Sequence, residues 1–143
     1  MELLNTQLCK EMIKIHQYMV ACASSISQYG ALAGLKYSLE DAEMMKLEFK
    51  KRRDYVYERL AKMGIDVNLP KGAFYLFPSI KKFNMSSEEF CYKFLKEEKV
   101  GVVPGSAFSN SGEGYMRISY ASSMENLKLA MDKLESFIRN LVK

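Results

Sequence analysis

Arg117 lies in the run Gly114-Tyr115-Met116-Arg117-Ile118-Ser119-Tyr120-Ala121, where polar and apolar side chains alternate among strand-favouring residues. That pattern predicts a strand. Side chains alternate across a sheet, so Tyr115, Arg117 and Ser119 share one face while Met116, Ile118 and Tyr120 share the other. A planar guanidinium with its fork of donors then stands between two hydroxyls on a stiff element. Such a group pairs bidentately with a carboxylate or phosphate, which supplies orientation as well as charge-assisted hydrogen bonds. A solvated arginine, or one paired with a structural carboxylate, fits the same pattern. The residue types alone leave all three open.

Other chemistry is sparse. His16 is the single histidine, and neither Cys9 nor any carboxylate stands at a spacing that builds a metal site or a triad around it. It is expected on a helix surface or interface. No Ser, Cys or Lys has a local partner that would activate it as a nucleophile. The segment 104–114 carries Gly105, Gly112, Gly114 and several hydroxyls, yet it lacks GxxxxGK[ST] and joins two expected strands. Phosphate loops open instead onto a helix N-terminus, so a flexible connection is expected here. The run Lys71 to Phe77 invites comparison with an RNA-recognition strand. It fails because Ala73, Phe74 and Pro78 stand where an aromatic, a small residue and a second aromatic belong.

Periodicity sketches the scaffold around Arg117. The 143 residues are 48% hydrophobic and 12% aromatic, enough for the core of one domain. A first helix over 2–20 carries the stripe Leu4, Leu8, Met12, Ile15 and Met19, with no cap sequence before it. A second helix starts from a cap at Ser25 or Ser27. The longest periodic segment, 38–63, has Ser38 as N-cap, a buried stripe of Ala42, Met45, Phe49, Val56, Leu60 and Met63, and Gly64 as a left-handed stop. Strands are expected at 66–69, 73–77, 100–103 and 115–120. Helices follow the Ser86…Glu89 and Ser122…Glu125 boxes. The fold class is α/β in a two-layer α+β arrangement: a small mixed or antiparallel sheet of about four strands against helices, with a long helix before it.

Charge and cysteine usage narrow the functional classes. The net charge of +4 is modest, and Lys50-Lys51-Arg52-Arg53 is followed by Asp54 and Glu58 on one helix, which reads as a solvated face and not a nucleic-acid surface. Apolar runs break well short of the ~20 residues of a membrane helix, and the start is acidic and polar, unlike a signal peptide. A cytoplasmic address is expected. Cys9, Cys22 and Cys91 match neither a disulfide framework nor a zinc motif, so reduced and mostly buried thiols are expected.

Pro70-Lys71-Gly72-Ala73-Phe74-Tyr75-Leu76-Phe77, then Val102-Val103-Pro104-Gly105-Ser106-Ala107-Phe108, then Tyr115 to Ala121, resemble pyridoxal-phosphate-dependent class I/II aminotransferases of fold type I. Ser24-Ser25-Ile26-Ser27-Gln28-Tyr29-Gly30-Ala31-Leu32 resembles the same family's region downstream of its cofactor lysine. The resemblance implies only the later part of such an enzyme: residues 1–37 as the end of the large domain and linker, 38–143 as the C-terminal small domain. It implies that the Schiff-base lysine, the acidic partner of the pyridine nitrogen and the phosphate-binding loop lie upstream. The chain would then hold no catalytic, cofactor-binding or metal-binding residue and bind no pyridoxal phosphate by itself. Arg117 matches the arginine that clamps the substrate α-carboxylate, with Tyr75 and Phe108 in supporting positions. The parent would transfer an amino group from an amino acid to a 2-oxo acid as a homo-oligomer, such as a dimer, with no nucleic-acid or membrane partner. The alternative is a free-standing metabolite-binding or assembly module that uses Arg117 for an acidic metabolite and the first helix for self-association.

Overall fold

The structure is a computed structural model that describes residues 5–141. Its helices are α1 (Thr6–Met19), α2 (Ser25–Tyr37), α3 (Leu39–Lys62), α4 (Ser87–Glu98) and α5 (Met124–Leu141); its strands are β1 (Tyr75–Leu76), β2 (Val103–Pro104) and β3 (Met116–Ser119). The chain divides into two compact units, one up to Met44 and one from Met45 onward. No described helix is long and apolar enough to cross a membrane.

In the first unit α1 does have a cap, contrary to expectation. The Asn5 side chain accepts from the backbone N–H groups of Gln7 and Leu8 at 3.0 and 3.1 Å, satisfying two of the donors every helix start leaves free. The cap of α2 is Ser24, neither of the two serines expected: its hydroxyl accepts from Ser27 N–H at 3.2 Å. Leu8, Met12, Ile15 and Met19 of the α1 stripe are exposed, as are Ile26 and Leu35 of α2. Leu4 lies outside the described residues.

Ser38 alone joins α2 to α3, donating to Gly34 O at 3.0 Å and accepting from Ala42 N–H at 3.2 Å. The expected stop at Gly64 is a Schellman closure. Gly64 takes φ 66°, its N–H donates to Ala61 O at 2.9 Å, and Ile65 N–H donates to Leu60 O at 3.0 Å. Leu60 and Ile65 are both buried, so an apolar clasp accompanies the turn. The buried stripe of α3 is shorter than its periodicity suggested. Val56 and Leu60 are buried, and Phe49 and Met63 pack partly against the core, but Ala42 and Met45 are exposed.

The sheet has the order β1-β3-β2 and is antiparallel throughout, with Tyr75 opposite Ser119 and Val103 opposite Arg117. A further bridge, Ser79 opposite Tyr115, continues the β1–β3 register. The small antiparallel sheet against helices is as expected, with three strands where about four were anticipated. Residues 66–69 form no strand, although Asp66 O accepts from Ser79 N–H at 2.8 Å. The strand expected at 73–77 shrinks to β1 because Ala73 adopts the left-handed conformation at φ 58°.

α4 and α5 supply the second layer. The Ser86 hydroxyl accepts from Glu89 N–H at 3.1 Å, as expected, while the cap of α5 is Ser123 and not Ser122, accepting from Asn126 N–H at 3.2 Å. Met116, Ile118 and Tyr120 are buried, as the alternation of β3 demands, together with Phe90, Phe94, Leu134 and Phe137. Phe137 meets Phe90 edge-on at 5.3 Å and Phe94 at 5.1 Å between ring centroids.

The cysteines depart from expectation: Cys91 is buried, Cys9 half-buried and Cys22 exposed. Burial pushes the Cys91 thiol up to about 11 from an ordinary 9.0. At pH 8 an alkylating reagent is therefore expected to modify Cys22 in the native protein and Cys91 only after unfolding, as peptide mass mapping would show. The folded state keeps a proton on Cys91 that the unfolded thiol gives up, so this residue's contribution to stability fades as pH rises from 9.0 to about 11.

Candidate functional site

Arg117 sits at the centre of the sheet, on β3, with β1 on one side and β2 on the other. Residues on β3 that face away from it are the buried Met116 and Ile118, which lock the strand onto the core. The structure brings Tyr75 and Phe108 to the same place. The guanidinium carbon lies 4.3 Å from the Tyr75 ring centroid and 4.6 Å from that of Phe108. Each ring face attracts the cation at such distances, and together they restrict its plane.

Arg117 is half-buried. Its Nε is fully buried and has no hydrogen-bond partner among the described residues. Nor does any described carboxylate stand within ion-pair distance of it; the arginines at 52, 53, 59 and 139 hold the acids that are paired with arginine. Pairing with a structural acid is therefore not what the fold has done with this group. A buried N–H donor costs free energy until something accepts from it, and a carboxylate arriving alongside Nε and one Nη would do so bidentately. Two rings wall the guanidinium, and no closed cavity among the described residues encloses it. Concavities lie elsewhere, among them one of about 400 Å³ lined by Phe49, Lys50, Arg53, Lys71 and Phe74, and one of about 200 Å³ lined in part by Ile118 and Leu127.

Phe108 is placed by the segment 104–114, which is ordered where a flexible connection was expected. Single turns of tight helix form at Gly105–Ala107 and Asn110–Gly112. Gly105 N–H donates to Tyr115 O at 2.8 Å, and Phe108 N–H donates to Gly105 O at 3.0 Å. The two turns touch backbone to backbone at Gly105 and Gly112, where a Cβ on either residue would overlap the carbonyl group of the other. The far end is tied to α4. The buried Ser87 hydroxyl accepts from Gly114 N–H at 2.8 Å and Tyr115 N–H at 3.2 Å, while the Glu113 carboxylate accepts from Ser87 N–H at 2.7 Å. An acid at the first turn of a helix also meets the positive end of its dipole. These anchors, Gly105, Gly112, Ser87 and Glu113, have no signal in local periodicity, because each acts across a gap of several to many residues.

His16 is exposed near the end of α1. Within the basic run, Lys50 and Lys51 are exposed, but Arg52 and Arg53 are half-buried and engaged: Arg52 with Glu48 at 2.9 Å, Arg53 with Asp54 and with Pro70 O at 2.9 Å. That run is only partly a solvated face. Among the described residues no group of three or more His, Cys, Asp or Glu could hold a metal ion.

The chain has counterparts among known proteins. The family model for aminotransferases of class I and II matches residues 3–134. The chain is 51% identical over 131 residues to a probable N-acetyl-LL-diaminopimelate aminotransferase of Bacillus subtilis, covering 92% of this chain and 33% of that protein. It is 44% identical to an aspartate aminotransferase of Pyrococcus abyssi, covering 92% of this chain and 34% of that one. Among solved structures, an aromatic aminotransferase from Pyrococcus horikoshii superposes with a TM-score of 0.85 at 43% identity, covering 92% of this chain and 36% of that chain. The chain thus spans about a third of the length of the curated relatives it matches. With the family model running across nearly all of its length, the chain belongs to the class I and II aminotransferase family.

Proposed function

We propose that this chain is the C-terminal part of a pyridoxal-phosphate-dependent aminotransferase, with residues 38–143 forming the small domain and 1–37 the end of the large domain. In that reading Arg117 clamps the α-carboxylate of an amino acid or 2-oxo acid, and Tyr75 and Phe108 hold the clamp. One observation carries it: a guanidinium gripped between two rings, its Nε buried and unpartnered, with no described acid in reach. The cradle offers donors to an anion and no amine, so it fits the carboxylate and not the attachment point of the cofactor. Pyridoxal phosphate, held by the rest of the parent, supplies an electron sink for the carbon that carries the amino group. This chain's residues bind and orient. A bidentate pairing fixes the rotation of that carbon and converts an encounter into a preset geometry. A homo-oligomer in the cytoplasm belongs to the same proposal; the exposed apolar residues of α1 and α2 support an assembled state.

The test pairs the chain by itself with the chain joined to the remaining two thirds of the Bacillus subtilis relative. By itself it is expected to show neither stoichiometric covalent uptake of pyridoxal phosphate nor transamination, whereas the joined protein is expected to show both. Turnover by the pure chain contradicts the proposal.

A further inference from the structure

Of the two rings that grip Arg117, Tyr75 is paired into the sheet opposite Ser119. Phe108 is not. It follows a single turn of tight helix and is 51% exposed, so burial does not fix its ring. What it does have is Phe77, whose ring stands edge-on to it at 6.2 Å and 69°. Phe77 in turn lies stacked on Tyr115 at 5.4 Å and 18°. The last member is Lys81, whose Nζ sits 4.6 Å from the Tyr115 ring centroid and 3.3 Å from its hydroxyl. The Lys81 stem reaches that position by lying across Gly114, where an added Cβ would stand 2.6 Å from Lys81 Cγ.

We propose that Phe77 is a positioning residue for Arg117: through Phe108 it sets the plane of the guanidinium, with Tyr115 and Lys81 holding Phe77 from behind. The inference rests on the reading of Arg117 as a carboxylate clamp. Its physical basis is that a bidentate fork is useful only in one orientation, and that edge-on and stacked ring pairs have preferred geometries a branched aliphatic side chain cannot reproduce. The register makes the arrangement possible. The bridge between Ser79 and Tyr115 extends the β1–β3 pairing past the end of β1, so that residues beyond both strand ends still meet.

The experiment has two arms. In the chain as it stands, nitrogen-resolved NMR of the arginine Nε–H groups identifies Arg117 by the signal lost in R117Q. Two flanking rings are expected to displace that signal by their ring currents. F77L is expected to remove part of the displacement, the share that Phe108 contributes, while Tyr75 keeps its own; F77Y is expected to keep all of it, and Y115L to shift it in the same direction as F77L should F77L not fold. In the joined enzyme, F77L is expected to raise KM for the amino acid by about threefold to tenfold, with kcat within about twofold of the parent and F77Y near the parent. A displaced Arg117 signal and a KM that are both unchanged in F77L overturn the proposal. The NMR arm needs no substrate, so it can succeed even if Arg117 proves not to bind a carboxylate, which the R117Q substrate comparison decides separately.

Discussion

Replacing Arg117 by Gln in the joined enzyme is expected to lower kcat/KM for an amino acid by about 100- to 10,000-fold. Hydrogen bonds to a charged group are worth roughly 1.5–3 kcal/mol each, and Gln forfeits the bidentate pair together with its charge. R117K is expected to recover only part of the loss, because an ammonium keeps the charge but not the planar fork or its stacking between Tyr75 and Phe108. The stability of the fold should change little in either variant. Arg117 holds no described acid, and its β3 neighbours Met116 and Ile118 carry the packing. A thermal melt alongside the kinetics separates the two effects.

Gly105→Ala is expected to do the reverse and act first on stability. The added methyl would overlap the Gly112 carbonyl and stand 2.9 Å from the Tyr115 carbonyl oxygen, both of them backbone atoms that no side-chain rotation can move. Relief requires separating the two turns, which also strains the bond from Gly105 N–H to Tyr115 O at 2.8 Å. Overpacking of this kind costs about 3 kcal/mol or more, which lowers the melting temperature by roughly 10 °C in a domain of this size. Gly112→Ala meets the Gly105 carbonyl in the same way and should match it. Phe108 rides on the first turn, so whatever fraction of the variant folds should also bind substrate more weakly. A melting temperature within about 2 °C of the parent would show that the close approach of the two turns is not structurally required.

What the sequence made legible was what local pattern controls. The alternation of Met116, Arg117, Ile118 and Ser119 foretold both the strand and its buried face, and Ser86 and Gly64 announced the start of one helix and the end of another. Boundaries set by a competing local effect were misplaced by a little, as with Ser123 for Ser122. The strand expected at 66–69 did not form, because a local hydrophobic pattern does not register whether a partner strand lies alongside to complete a ladder. The segment 104–114 read as flexible because everything that orders it comes from elsewhere in the chain: Ser87 on α4, the Gly105–Gly112 contact, and Tyr115. Arg117 could be named from residue type and placement, and Tyr75 and Phe108 through the family resemblance. The ring behind them, Phe77, could not, since it depends on a sheet register that continues beyond the paired strands.

The most direct measurement compares two substrates in the joined enzyme: an α-amino acid, and the primary amine that has the same side chain but no carboxylate. If Arg117 is the clamp, R117Q loses about 100- to 10,000-fold in kcat/KM on the amino acid and stays within about threefold on the amine. Equal losses on both substrates, or no loss on the amino acid, would contradict the account.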